Sequence, residues 1–341
     1  MKRRATIVQV AQRANVAFST VSRVMNGGYA SQKVRDRVER VARDLGYTPS
    51  TIARNLKMGR QGCIGVVTIT SQGSWFTQVL GGIEEALEAR TVSALLGSLA
   101  LRGRYDSSTV SRWISERRVD GIIFARCTLR EQSLVDGARR AGIPMVFVAP
   151  DEHFGAGPVF GTRNREATYA LAQHLLRFGH RRFGFLGGPS DSVDTRDRLD
   201  GLRDSLTERG LSIDKGDIFY APDYTADGGI TFARQWLAGK RSRVPTAIVC
   251  GNDELACGFL RTVLQRGVRV PEDVSVTGFD GVPEGALYWP GLTTVDQPSH
   301  EMGMAGCQVL LRMIETHDSI ELTRTDLPAR LVVRESTGPA P

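Results

Sequence analysis

The sequence predicts a small all-α head followed by a much larger α/β body built from two doubly wound, parallel-sheet subdomains. Three observations predict it. The first sixty residues place apolar side chains at helical spacing and hold the chain's positive charge. From Cys63 onward, short apolar runs alternate with amphipathic stretches, the pattern of parallel sheets covered on both faces. And 341 residues exceed what a single hydrophobic core organises, so two or three domains are expected.

Composition narrows the class further. Hydrophobic residues make up 41% and charged residues 24%, ordinary proportions that argue against a disordered or fibrous chain. No apolar run is long enough for a conventional transmembrane helix. Met1-Lys2-Arg3-Arg4 could open a signal peptide, but Gln9, Gln12, Arg13 and Asn15 stand where its apolar stretch would be. A cytoplasmic protein with no membrane partner is therefore expected. Cys63, Cys127, Cys250, Cys257 and Cys307 form no C-x-x-C pair and the five histidines are scattered, so buried thiols are expected, with no metal and no cofactor.

Charge is more telling when divided along the chain. Residues 1–60 hold 13 Lys and Arg against 3 Asp and Glu, a net of +10; the whole chain is +7, so the remainder sums to −3. A basic module on a near-neutral body suggests a polyanionic partner.

The head reads as a helix-turn-helix. Ile7, Val10 and Ala11 recur at helical spacing, with Thr6 placed to cap the first turn. Asn15 suits a left-handed turn, and Val16 follows as a buried plug. Phe18 to Met25 forms a second short helix that packs Val21, Val24 and Met25 inward and leaves Phe18, Ser19, Ser22 and Arg23 outside. A third helix, about Ser31 to Leu45, buries Val34, Val38, Val41, Ala42 and Leu45 and stops at Gly46. Between Pro49 and Arg60 lies a short segment with about two turns of helix potential, marginal on its own in water.

In the body, Ile64–Val67, Gly121–Phe124, Pro144–Val148, Phe183–Leu186, Ala247–Cys250 and Val274–Gly278 are the strand candidates. Helical stretches from Phe76 to Ala89, Val110 to Arg117 and Glu131 to Ala141 separate the earlier ones. Ligands bind beyond the carboxyl ends of such strands. There stand Trp75, Phe76, Arg126, Asp151, Asn252-Asp253 and Asp280. Aromatic faces with amide, carboxylate and guanidinium groups suit a neutral polyhydroxylated ligand.

Several linked blocks carry a family resemblance. Ala5-Thr6-Ile7, Val10-Ala11, Val16 through Asn26, Leu45-Gly46-Tyr47-Thr48-Pro49 and Ile52-Ala53-Arg54-Asn55-Leu56 resemble the DNA-binding end of the lactose-repressor (LacI-type) family of bacterial regulators. Phe178-Gly179-His180, Gly251-Asn252-Asp253, Val270 to Val276, Leu292 to Val295 and Arg334 to Thr337 extend it nearly to the end of the chain. The resemblance implies a periplasmic-binding-protein-like body and three parts: a head at 1–48, a hinge helix and linker at 49–61, and an effector and dimerisation domain at 62–341. Within the last, the N-subdomain would take about 62–162 and 293–325, the C-subdomain about 163–292 and 326–341.

The resemblance also assigns roles. Phe18, Ser19 and Arg23 would face base edges in the major groove, where Arg pairs bidentately with guanine and Phe meets a thymine methyl. Thr6, Thr20, Ser22, Asn26 and Tyr29 would hold phosphates. Leu56 would wedge into the minor groove beside Ala53. In the body, Arg198 would be the main effector-binding arginine, Asn252, Asp280 and Gln297 would bond the ligand, and Tyr224 or Trp75 would stack on it, with Phe76, Arg126 and Asp151 nearby. The implied partners are a pseudo-palindromic double-stranded operator, a second copy of the chain and a small-molecule effector, a carbohydrate ahead of a purine, in a cytoplasmic, nucleoid-associated regulator. Departures exist: Ala17 stands where the family has a serine N-cap, Asn15 replaces a glycine, the loop at Gly27-Gly28-Tyr29 is short, and Arg163-Asn164 with Ala167 alters the subdomain seam.

Two other classes compete with this reading. A sugar-binding transport component would suit the body, yet the basic head argues against it. An enzyme would need a motif, and G-x-S-x-G, P-loop, G-x-G-x-x-G and H-E-x-x-H patterns are absent; Gly187-Gly188-Pro189 reads as a strand-to-helix turn. A non-enzymatic regulator is the expectation.

Overall fold

The computed structural model describes residues 5–25, 27–48, 59–69, 73–88, 90–101, 104–151, 154–239, 244–316 and 322–341. It divides into two compact units, a head through Gly62 and a body from Cys63.

The head contains α1 (Ile7–Ala14), α2 (Phe18–Met25) and α3 (Gln32–Leu45). Thr6 and Gln9 cap α1 reciprocally: the Gln9 N–H donates to Thr6 Oγ1, and the Thr6 N–H donates to Gln9 Oε1 at 2.9 Å. Asn15 turns the chain at φ 49°, ψ 54°, the left-handed conformation its side chain tolerates. Gly46 ends α3 at φ 62°. Val10, Ala11, Ala14, Val21, Val24, Val38, Val41 and Ala42 form the buried centre. Val16, Met25, Val34 and Leu45 are only half-buried: a three-helix core this small has an edge, and Val16 sits on it, at the turn itself.

The body folds around two sheets. β1 (Cys63–Thr68), β2 (Ser93–Ser98), β5 (Gly121–Ala125), β6 (Met145–Val148), β7 (Val159–Thr162) and β13 (Arg324–Leu327) form the first, in the order β13-β7-β6-β5-β1-β2, all parallel. β8 (Phe183–Gly187), β9 (Ile218–Tyr220), β10 (Ala247–Cys250), β11 (Ser275–Asp280), β12 (Thr293–Asp296) and β14 (Arg330–Val332) form the second, in the order β14-β12-β11-β10-β8-β9. Only β14 runs antiparallel there. A small hairpin, β3 (Ala100–Leu101) and β4 (Arg104–Tyr105), projects after β2.

Each sheet is clad on both faces, which is why its strands read as continuous apolar runs. α4 (Ser74–Glu88) and α11 (Ser299–Thr316) cover one face of the first sheet, packing Trp75, Val79, Ile83, Met302 and Leu310 on Ile64, Val66 and Ile123. α5 (Ser108–Ser115) and α6 (Gln132–Arg140) cover the other. On the second sheet, α7 (Asn164–Arg177) and α8 (Val193–Thr207) take one face, α9 (Ala226–Ala238) and α10 (Asp253–Leu264) the other. α4 and α11 meet through glycines: a Cβ on Gly82 would lie 1.9 Å from the His300 carbonyl oxygen, and one on Gly303 2.1 Å from that of Val79.

The chain crosses between sheets three times, after β7, after β12 and after β13. This corrects the expected division, which gave residues from 293 to the first subdomain. β12 pairs with β11 and β14 of the second sheet; the return to the first half begins at α11, and β13 extends it to Leu327.

Candidate effector cleft and nucleic-acid face

A cleft of about 670 Å³ opens at the carboxyl ends of both sheets, where a doubly wound fold presents its strand-end loops. Trp75, Phe76, Arg126 and Asp151 line it from the first subdomain, Tyr224, Asn252 and Asp280 from the second. Seven of the nine anticipated effector residues are thus together.

Arg126 stands at the centre. It follows β5 with φ 57°, and its guanidinium carbon lies 5.1 Å from the Trp75 ring centroid and 4.4 Å from that of Tyr224. The rings expected to stack on a ligand are therefore in contact with the protein's own cation. Burial alone would lower the Arg126 pKa, but Tyr224, Asp151, Asp194 and Asp280 around it raise it overall.

Tyr224 is fixed at its hydroxyl, which shares hydrogen bonds with Ser192 Oγ (2.8 Å) and Thr195 Oγ1 (2.7 Å). Its ring fits because Gly188 has no side chain: a Cβ there would be 2.5 Å from the ring. The Ser192 hydroxyl donates to Asp151 Oδ1 at 2.7 Å, a bond between subdomains. Burial, then Asp194, pushes the Asp151 carboxyl above its usual range.

Asp280 is 2% exposed and sits at φ 122°, strained for a residue with a Cβ. Gln297 Nε2 donates to its Oδ1 at 2.5 Å, and the Thr162 hydroxyl donates to Gln297 Oε1 at 2.8 Å. Gln297 thus links the subdomains from behind the cleft and does not line it. Burial raises the Asp280 pKa. Asn252 caps α10, accepting from the Leu255 N–H at 2.9 Å and donating to the Tyr224 carbonyl at 3.0 Å. Both ends of its amide are occupied.

Arg198 departs furthest from expectation. It is 1% exposed and does not line the cleft. It donates to Asn164 Oδ1 (2.9 Å), the Gly251 carbonyl and Asp194 Oδ2 (3.4 Å), with its guanidinium 3.9 Å from the Phe279 ring centroid. Asn164 and Asp194, which the sequence does not mark as its partners, are themselves hydrogen-bonded at 2.9 Å and satisfy the arginine inside the subdomain. Also unforeseen are Tyr105, Thr128, Arg130, Glu131, Asp223 and Glu254, all on the cleft wall. They lie in loops, the hairpin and a first helical turn, where no periodic pattern singles out an inward side chain.

The head exposes most of the surface expected of it, but Ser22, expected outside, is half-buried. Phe18 is 55% exposed and Tyr29 89%; Ser19 and Arg23 are exposed on α2, while Thr20 and Ser22 are half-buried. Phe18 with Ser22, and Ser19 with Arg23, are one helical turn apart and share a face. The loop before α3 is held by the Gly28 N–H donating to the Arg23 carbonyl and by Arg35 donating to the Gly28 carbonyl, both at 2.8 Å. Thr6 is exposed while capping α1. Asn26, Ala53 and Leu56 lie outside the described residues. Among the described residues no group of His, Cys, Asp and Glu could hold a metal, and no helix is long and apolar enough to cross a membrane.

A helix-turn-helix head with an exposed aromatic, joined to a two-lobed α/β body with a cleft between the lobes, defines the class of DNA-binding transcriptional regulators. Residues 6–50 match the bacterial regulatory proteins of the lacI family, and 172–337 a periplasmic binding protein-like domain. The chain belongs to the lacI family. It is 30% identical to the HTH-type transcriptional repressor PurR of Photobacterium profundum, covering 97% of this chain and 98% of that one. Catabolite control protein A of Priestia megaterium is 28% identical over 97% of this chain and 99% of its own. Among solved structures, the lac repressor dimer bound to operator and the anti-inducer ONPF superposes with a TM-score of 0.82 at 26% identity, covering 98% of this chain and 100% of that chain. The CelR–cellobiose complex gives 0.72 at 28%, with the same coverage.

Proposed function

We propose that the protein is a homodimeric transcriptional repressor whose affinity for a pseudo-palindromic operator is set by a sugar bound between the two halves of its body. The observation that carries this reading is the cleft itself. Its walls pair aromatic faces (Trp75, Phe76, Tyr224) with the carboxylates of Asp151 and Asp280, the combination that covers a sugar's apolar face and accepts from its hydroxyls. A ligand touching both halves favours one closure over another, and only such differential binding can alter DNA affinity.

On the DNA side, Phe18, Ser19 and Arg23 read bases, and Thr6, Thr20, Ser22, Asn26 and Tyr29 bond phosphates. Ala53 and Leu56 act in the minor groove. For dimerisation, Leu287 (84% exposed) and Trp289 (83%) place two large apolar side chains on one loop of the second subdomain, an exposure consistent with cover by a second copy.

The test begins with selection of random duplexes on the full-length protein. Enrichment of a palindrome with a flexible pyrimidine–purine centre is expected, and its affinity is then measured against a panel of sugars and purines. A flat purine would use the same aromatic walls. A shift by a purine alone would replace the sugar reading, and no enriched sequence with or without ligands would remove the regulator.

A further inference from the structure

The described walls of the cleft carry more negative charge than a neutral sugar needs. Two arginines, Arg126 and Arg130, face five carboxylates: Glu131, Asp151, Asp223, Glu254 and Asp280. Arg126 lies against Trp75 and Tyr224 and also 3.9 Å from Asp194, so it offsets part of this charge; Arg130 lies over Tyr105 with its guanidinium carbon 4.6 Å from the ring centroid. Behind the wall the buried Arg198 lies 3.4 Å from Asp194 and also favours the charged form of Asp280, which leaves the remaining acids of the wall in excess.

The acids come from both subdomains. Glu131 and Asp151 belong to the first; Asp223, Glu254 and Asp280 belong to the second. Glu254 shows their mutual effect: burial and then Asp280 raise its pKa, Arg126 opposes them, and Asp223 and Glu284 add to the rise. Glu131 is fully buried, yet lines the cavity. The Thr128 N–H donates to its Oε2 at 2.6 Å and the Thr128 hydroxyl at 3.0 Å. Its other oxygen, Oε1, has no hydrogen bond of ordinary geometry, although the carboxylate stands close enough to the Tyr105 hydroxyl to raise that group's pKa. A buried carboxylate oxygen without a donor costs free energy, and a donor brought by a ligand would recover it.

We propose that the effector is cationic: an amine-bearing polyhydroxylated compound, of the amino-sugar class, whose ammonium group is held by the carboxylates of this cleft, Glu131 among them. The inference rests on the cleft being the effector site and deepens that reading. It also supplies a driving force. Bringing the halves together concentrates like charges, and an ammonium ion between them converts that repulsion into attraction. The aromatic walls serve the same ligand, since ring faces attract cations as well as apolar sugar faces.

The test follows intrinsic tryptophan fluorescence, to which Trp75 contributes from the cleft wall, on the full-length protein. Glucosamine, galactosamine and mannosamine are titrated beside glucose, galactose and mannose and beside the N-acetylated forms, which keep the ring and lose the charge. The expected result is at least about tenfold tighter binding of one amine than of its neutral counterparts, the scale of a charge-assisted hydrogen bond. Glu131→Gln is expected to reduce that preference to about threefold or less, with circular dichroism confirming that the variant folds. Should Glu131→Gln fail to fold, Glu254→Gln, on the half-buried second wall, takes its place. Equal binding of amine and neutral sugar, or no response to any amine up to about 10 mM, overturns the cationic effector. In the first case the sugar reading survives; a response to purines alone overturns both.

Discussion

Arg126 and Tyr224 belong to different subdomains, and the guanidinium of one lies over the ring of the other at 4.4 Å. With Trp75 also in contact with the cation, two aromatic rings and one charge bridge the mouth of the body. Arg126→Ala removes this bridge. The expected result is a loss of about 1–2 kcal/mol in urea unfolding and a wider distribution of lobe separations in solution scattering. Arg126→Lys, which keeps the charge without the planar group, should fall between.

Arg198→Ala tests a different role for an arginine. It would leave Asp194 and Asn164 without their buried partner, a loss of about 3–5 kcal/mol. Arg198→Met, which replaces bulk without charge, leaves Asp194 only Asn164 and the more distant Arg126 and should rescue only the packing. If Arg198→Ala keeps its stability and loses only effector response, Arg198 contacts the ligand after all.

Asp253 makes stability depend on pH. Burial, followed by neighbouring Asp280, pushes its carboxyl up to about 8. The folded state therefore holds a proton that the unfolded state releases near the ordinary value of 3.8, so unfolding releases protons between the two values and stability falls as pH rises through that window. Urea midpoints from pH 5 to 8 should decline, by up to about 1.4 kcal/mol per pH unit from this group. Asp253→Asn should flatten the slope.

Phe18→Ala separates reading from folding. The ring is 55% exposed, so thermal stability should change by less than about 0.5 kcal/mol. Operator affinity should fall by about 1–3 kcal/mol with relaxed preference at one base pair, measured by fluorescence anisotropy at fixed salt.

Gly82→Ala probes the helix crossing on the first sheet. Its new Cβ would collide with the His300 backbone, so a cost of about 1–3 kcal/mol is expected in urea unfolding. An unchanged midpoint would show that α4 and α11 can separate freely.

How far the sequence reaches depends on the kind of signal. Strands such as Ala247–Cys250 are legible because burial on both faces leaves only apolar side chains, and α2 is legible because its inward and outward positions alternate with the helical period. The sequence puts β12 in the wrong half because Thr293–Asp296 pairs through its backbone, and partner choice leaves no mark on side-chain pattern. In the cleft, residues immediately after strands can be located. Arg198 cannot, since whether an arginine on α8 turns toward solvent, ligand or core depends on Asn164, thirty-four positions earlier. Glu131 and Tyr105 are invisible for a related reason: one closes a single turn of helix and the other ends a two-residue strand.

The last strand of the first sheet, β13, is Arg324–Leu327, and α11, which covers one face of that sheet together with α4, is Ser299–Thr316. Neither lobe is a contiguous stretch of chain. A ribosome that has released residues 63–162 has delivered most of a sheet with one edge strand and one of its four covering helices still unmade. The first lobe must wait while the second emerges, its apolar face open to chaperones or to other nascent chains. Synthesis order thus reverses the usual expectation for a multi-lobed chain: the part made first is among the last to be finished.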